Sequence, residues 1–183
     1  MEIIKLNPIP SSLSSVYLQN DDSTVICAIF ISEKQPSEKS LEIIFESLNN
    51  TDDISKIIYT TIVNNLTIHI HTQIRICFYC LEIGKNLLET LINSYTISIL
   101  NTGLPQKDML VSSTIDVDDK PKDNYNTNNR ITLVYSLHNN SITQIYFNHK
   151  ISAAILPGKI EILIEKCQSK GEQIKEYFNK KYF

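Results

Sequence analysis

The chain has 183 residues, a length that a single domain over 1–183 accommodates. Hydrophobic residues make up 42% and charged residues 20%, enough for a full core, and the net charge of −3 excludes a protein held on nucleic acid by bulk positive charge. No apolar run approaches the roughly 18 residues of a membrane helix, and the start, MEIIKLNPIPSS, lacks the basic and apolar segments of a secretory leader, so an intracellular protein without a membrane partner is expected.

Residues 1–12 contain Pro8 and Pro10 and read as an irregular lead-in. Leu13–Gln19 and Thr24–Ile31 are β-rich runs around Asn20-Asp-Asp-Ser23, which predicts a hairpin. Ser32–Lys39 is a polar turn, and Leu41–Phe45 is a short apolar strand. Thr51 is a candidate N-cap, and Asp52 and Asp53 complement the positive end of a helix. Ile54, Ile57, Ile58, Thr61 and Ile62 then form a helical stripe to about Asn65. Its β-branched residues give weak intrinsic propensity, so packing must hold this helix.

In the first part of the stretch from Ile70 to Pro105, Ile74, Ile76, Phe78 and Cys80 alternate with Arg75, Cys77, Tyr79 and Leu81. Both sets are largely apolar, which predicts a central strand with a layer on each face. After Ile83-Gly84-Lys85 the period changes. Leu87, Leu88, Leu91, Ile92, Tyr95 and Ile99 make one apolar stripe on a helix, with Gly103 and Pro105 as its stop. Met109–Val117 reads as a strand and Asp118–Asn129 as a solvated loop. Ile131–Leu137 and Ile142–Phe147 form a second hairpin around His138–Ser141. Pro157-Gly158 opens a last helix with Ile160, Leu163, Ile164, Cys167, Ile174 and Phe178 inward, interrupted at Gly171 where another element comes close. This order predicts an α+β fold: a mixed, mainly antiparallel sheet with the helices largely on one side.

The residues with metal or redox chemistry are sparse. Cys77 and Cys80 have CxxC spacing, but positions three apart on a strand point to opposite faces, so they read as structural thiols, as do Cys27 and Cys167. His69 and His71 share a strand face without a third ligand nearby. Four glycines are too few for a loop of backbone amides around a phosphate. No cofactor and no metal site are expected.

The middle of the chain carries a resemblance. LLETLINSYTISILNTGLPQKD resembles a segment of the ribonuclease PH family through Leu87, Leu88, Ile92, Asn93, Ile99, Leu100, Gly103, Pro105 and Asp108. Upstream, HTQIRICFYCLE is similar to that family's R-T-Q-I-x-I-x-V-x-V-L-Q strand. The resemblance implies a ribonuclease PH-like domain. It also implies that an enzyme of this type, which degrades RNA from the 3′ end with phosphate, would carry an acid where this chain has Gly84. Gly84 can neither ligate Mg²⁺ nor transfer a proton. Where the family has an Arg before the Thr, this chain has His71. The expectation is therefore no catalytic residue and no enzyme. The resemblance implies a structural subunit of the eukaryotic RNA exosome, joined to other ribonuclease PH-like subunits in a hexameric ring, with cap subunits and RNA in a central channel. His71, Arg75 and Lys85 are the candidate RNA contacts. A nuclear (nucleolar) and cytoplasmic location would follow. Two readings stay open: a phosphorolytic 3′-exoribonuclease using Glu82, and a free-standing α+β RNA-binding module.

Overall fold

The computed structural model describes residues 3–35, 39–46, 52–67, 72–117, 129–147 and 151–182. The chain forms two compact units, Met1–Asp108 and Met109–Phe183. In the first, five strands stand in the order β1-β2-β3-β5-β4: β1 (Ile3–Leu6), β2 (Ser14–Asn20), β3 (Ser23–Glu33), β4 (Leu41–Glu46) and β5 (Thr72–Glu82). The pairs are antiparallel except β4 with β5, which is parallel. A parallel neighbour requires a crossover, and helix α1 (Asp52–Asn65) lies in that connection. The mixed, mainly antiparallel sheet is the predicted one.

Register explains the core. Val16 lies opposite Cys27 and Cys27 opposite Phe78; Ile29 lies opposite Ile76. These side chains are fully buried, and helix α2 (Leu87–Thr102) lies against β2 and β3. The helix ends where predicted, with Gly103 left-handed at φ 71°. It is buried on every side from Leu87 to Ile99, not along one stripe. The reason is that its polar positions are small and bond locally: Thr90 Oγ1 donates to Asn86 O at 3.0 Å, and Ser94 Oγ to Leu91 O at 2.9 Å.

Two further expectations are corrected in this unit. The lead-in is not irregular, because Ile3–Leu6 pairs with β2; an edge strand of four residues is held by backbone bonds that leave little periodicity to read. The outer face of the central strand is covered only in part, with Gln73 and Cys77 buried there. Helix α1 meets α2, on the same side of the sheet, while Arg75 is exposed, Tyr79 half-buried and Leu81 56% exposed.

The second unit is a three-stranded antiparallel sheet, β6 (Leu110–Asp116), β7 (Arg130–Ser136) and β8 (Ser141–Phe147), with helix α3 (Leu156–Tyr182) against β6 and β7. The predicted hairpin turn holds Asn140 at φ 48°, a left-handed position that asparagine tolerates. Helix α3 buries Leu163, Cys167, Gly171 and Ile174, whereas Ile160, Ile164 and Phe178 are half-buried. It runs through Gly171 without interruption. The glycine gives room instead: a Cβ there would stand 2.3 Å from Leu137 Cδ1. Thr51, His69, His71 and most of the expected 118–129 loop lie outside the described residues.

Candidate functional site

The turn from β5 into α2 meets the tip of the β2–β3 hairpin. Three consecutive turn amides point at two hairpin side chains. Gly84 N donates to Ser23 Oγ at 3.2 Å, Lys85 N to Asp22 Oδ2 at 2.8 Å, and Asn86 N to Asp22 Oδ1 at 3.2 Å. Ser23 Oγ in turn donates to Asp22 Oδ1 at 3.0 Å. A run of backbone amides at a helix N-terminus is an anion site; here the anion is the chain's own Asp22 carboxylate. Asn86, the N-cap residue, makes no side-chain cap bond; the hairpin instead fixes the turn that leads into the helix, through the amides of residues 84–86.

Gly84 is a spatial requirement. A Cβ at this position would stand 2.0 Å from the Asp22 carbonyl oxygen and 2.4 Å from Asp22 Cγ. The first is backbone, so no rotamer change makes room, and an acid at position 84 does not fit this arrangement.

The other carboxylates in the corner have partners. Glu82, the candidate relocated acid, accepts from Thr24 Oγ1. Glu89, only 3% exposed, accepts from Asn20 Nδ2 at 3.3 Å and sits in the first turn of α2, where the helix dipole favours a negative charge. Among the described residues no three His, Cys, Asp or Glu side chains are grouped to hold a metal ion. The four thiols are buried and none is in a disulfide. Desolvation is the leading cause that raises three of them: Cys80 is pushed up to about 11, and Cys27 and Cys77 are also raised. Thiols so placed are protonated at neutral pH and poor nucleophiles or ligands.

Of the candidate RNA contacts, Arg75 and Lys85 are not brought together. Lys85 is exposed in the turn. Arg75 lies on the outer face of β5, its Nε 2.6 Å from Glu42 Oε2. From Arg75 to the strand end at Glu82, about 3.3 Å per residue gives roughly 23 Å. His71 lies outside the described residues. The sequence reading missed Asp22, Ser23 and Glu89. Asn86 and Glu89 do have the spacing of an N-cap residue and its N3 acid. That Asp22 reaches the turn, 63 positions away, had no local signal.

No protein-family model matches this chain, and no curated protein matches it in sequence. Solved structures match it throughout. The fold is that of ribonuclease PH-like exosome core subunits. The crystal structure of rice (Oryza sativa) Rrp46 superposes with a TM-score of 0.77 at 13% identity, covering 98% of this chain and 92% of that one. An archaeal exosome core gives 0.72 at 14% identity, covering 96% of this chain and 86% of the other. The Archaeoglobus fulgidus exosome with RNA bound to its active site gives 0.71 at 12%, covering 94% and 87%.

Proposed function

We propose that this chain is a non-catalytic, Rrp46-like subunit of the ribonuclease PH-like ring of an RNA exosome core, working in the nucleus and cytoplasm. The observation that carries the reading is the filled turn: an acid at position 84 meets the Asp22 backbone at 2.0 Å, and the amides of residues 84–86 are bonded to Ser23 and Asp22. A phosphorolytic enzyme needs an open place for phosphate and an acid or metal beside it. The fold shared with exosome core structures supports the ring part of the reading. Exposed apolar side chains support it as well: Leu81 and Ile83 at the strand exit, and Ile142 and Phe147 on β8, suit interfaces with ribonuclease PH-like neighbours. In this reading cap subunits sit on the ring, and RNA in the channel touches the chain through local cations, with Lys85, Arg75 and His71 the candidates.

The test has two arms. The isolated chain, given RNA, phosphate and Mg²⁺, is expected to release no nucleoside diphosphate. Turnover by pure protein, abolished by Glu82→Gln, would instead establish the enzyme. Co-expression with the ribonuclease PH-like chains of the same cell is expected to yield a stable hetero-oligomer. A monomer that recruits none of them refutes the ring.

A further inference from the structure

Away from the turn, a recess of about 420 Å³ opens beside α1, β4 and the start of β5. Its volume lies in the range of small-ligand pockets. Lys39, Glu42, Tyr59, Gln73 and Arg75 supply its functional groups, and Leu41 is part of its aliphatic wall. In a chain of net charge −3 this lining holds two cations against one carboxylate. Arg75 is engaged with Glu42 at 2.6 Å; Lys39 is exposed and makes no ion pair among the described residues.

The remaining groups narrow the ligand. Gln73 is 8% exposed, and its carboxamide oxygen accepts from Ser32 Oγ at 3.1 Å. Its orientation is thereby fixed with the NH₂ left as a donor. Tyr59 projects from α1 with 49% of its surface open, a large aromatic kept in water beside cations. Lysine, arginine and a carboxamide NH₂ all donate, so the complementary ligand is rich in acceptors, anionic, and has a flat ring to cover Tyr59. We propose that this recess binds a nucleotide, with the base stacked on Tyr59, the phosphate on Lys39 and Arg75, and a base or ribose oxygen on the Gln73 amide. The same chemistry is offered by a free nucleoside monophosphate and by one nucleotide of an RNA strand. Arg75 thereby acquires a role as part of a built pocket. The assignment does not depend on assembly into a ring or on the absence of catalysis.

The experiment uses the full chain. Binding of AMP and UMP is followed by NMR titration, and binding of a fluorescently labelled eight-nucleotide oligo(A) and oligo(U) by anisotropy at low and moderate salt. Saturable binding is expected. Tyr59→Ala should weaken it about tenfold or more, as loss of one base–aromatic stack does, and Tyr59→Phe should restore it. Lys39→Glu should weaken it and flatten its salt dependence. Both positions are exposed, so folding is preserved, which circular dichroism checks. Monophosphates that bind as tightly as the oligonucleotides assign a free-nucleotide pocket; markedly tighter oligonucleotide binding assigns a strand site. Absence of binding in both arms at low salt, or binding unchanged by both Tyr59→Ala and Lys39→Glu, overturns the proposal and leaves the ring reading standing.

Discussion

Two residues show how burial without room and burial without a well-formed hydrogen bond differ. Gly84→Ala pushes a methyl against the Asp22 carbonyl. Overpacking of this kind destabilises by about 1–3 kcal/mol, and the variant should melt lower in a thermal scan with no gain of RNA cleavage. Tyr95 is the reverse case. Its hydroxyl is buried and makes no hydrogen bond of ordinary geometry among the described residues; desolvation raises its phenol above the ordinary value, and the Asn65 side chain opposes that rise. Since the hydroxyl makes no well-formed hydrogen bond there, Tyr95→Phe should fall within about 1 kcal/mol of neutral or be stabilising, as measured by urea denaturation. A loss well beyond that would mean the hydroxyl is bonded in solution.

At the scale of elements, α2 and α3 differ in what a substitution meets. Gly171→Val sets a branched side chain against Leu137. It should destabilise by about 1–3 kcal/mol, although glycine is itself the weaker helix former. The buried thiols of β3 and β5 give a pH dependence. Cys80 has a folded-state value of about 11 against an ordinary 9.0, and Cys27 and Cys77 shift the same way. A group whose folded value is raised contributes stability fully below about pH 9 and loses it as pH climbs toward 11. Denaturation midpoints should therefore fall across that window, and Cys80→Ala should shallow the fall. The elements themselves were legible where length and period agreed. Strand β5 and helix α2 announced themselves by the change of period at Gly84, and Gly103 ended the helix as read. The four-residue β1 did not, because its ladder is made of backbone. Helix α2 was read as one-sided because Thr90, Ser94 and Ser98 look polar in sequence, whereas their hydroxyls find partners inside the structure.

For the whole molecule, the fold could be anticipated and the site only in part. That Gly84 stands where the resemblance to ribonuclease PH implies an acid could be read from the chain; why a side chain does not fit there could not, since the obstacle belongs to a hairpin 62 positions earlier. Arg75 and Lys85, two of the candidate RNA contacts, are separated by most of a strand's length. A global test follows from α2. Leu88 is 5% exposed, and Leu88→Asp places an unpaired charge in the core at a cost of several kcal/mol, comparable with a domain's total stability. The variant should be insoluble or unfolded by circular dichroism. A soluble variant with unchanged melting would mean that this helix face is not core.

The contact between the hairpin tip and position 84 also bears on how this chain can change over generations. A lone codon change that introduces any side chain at position 84 meets occupied space. The hairpin must withdraw first, and that step strips the amides of residues 84–86 of their acceptors with no benefit of its own. The turn is thus a ratchet: with Asp22 seated in it, a side chain at this position requires two coordinated events.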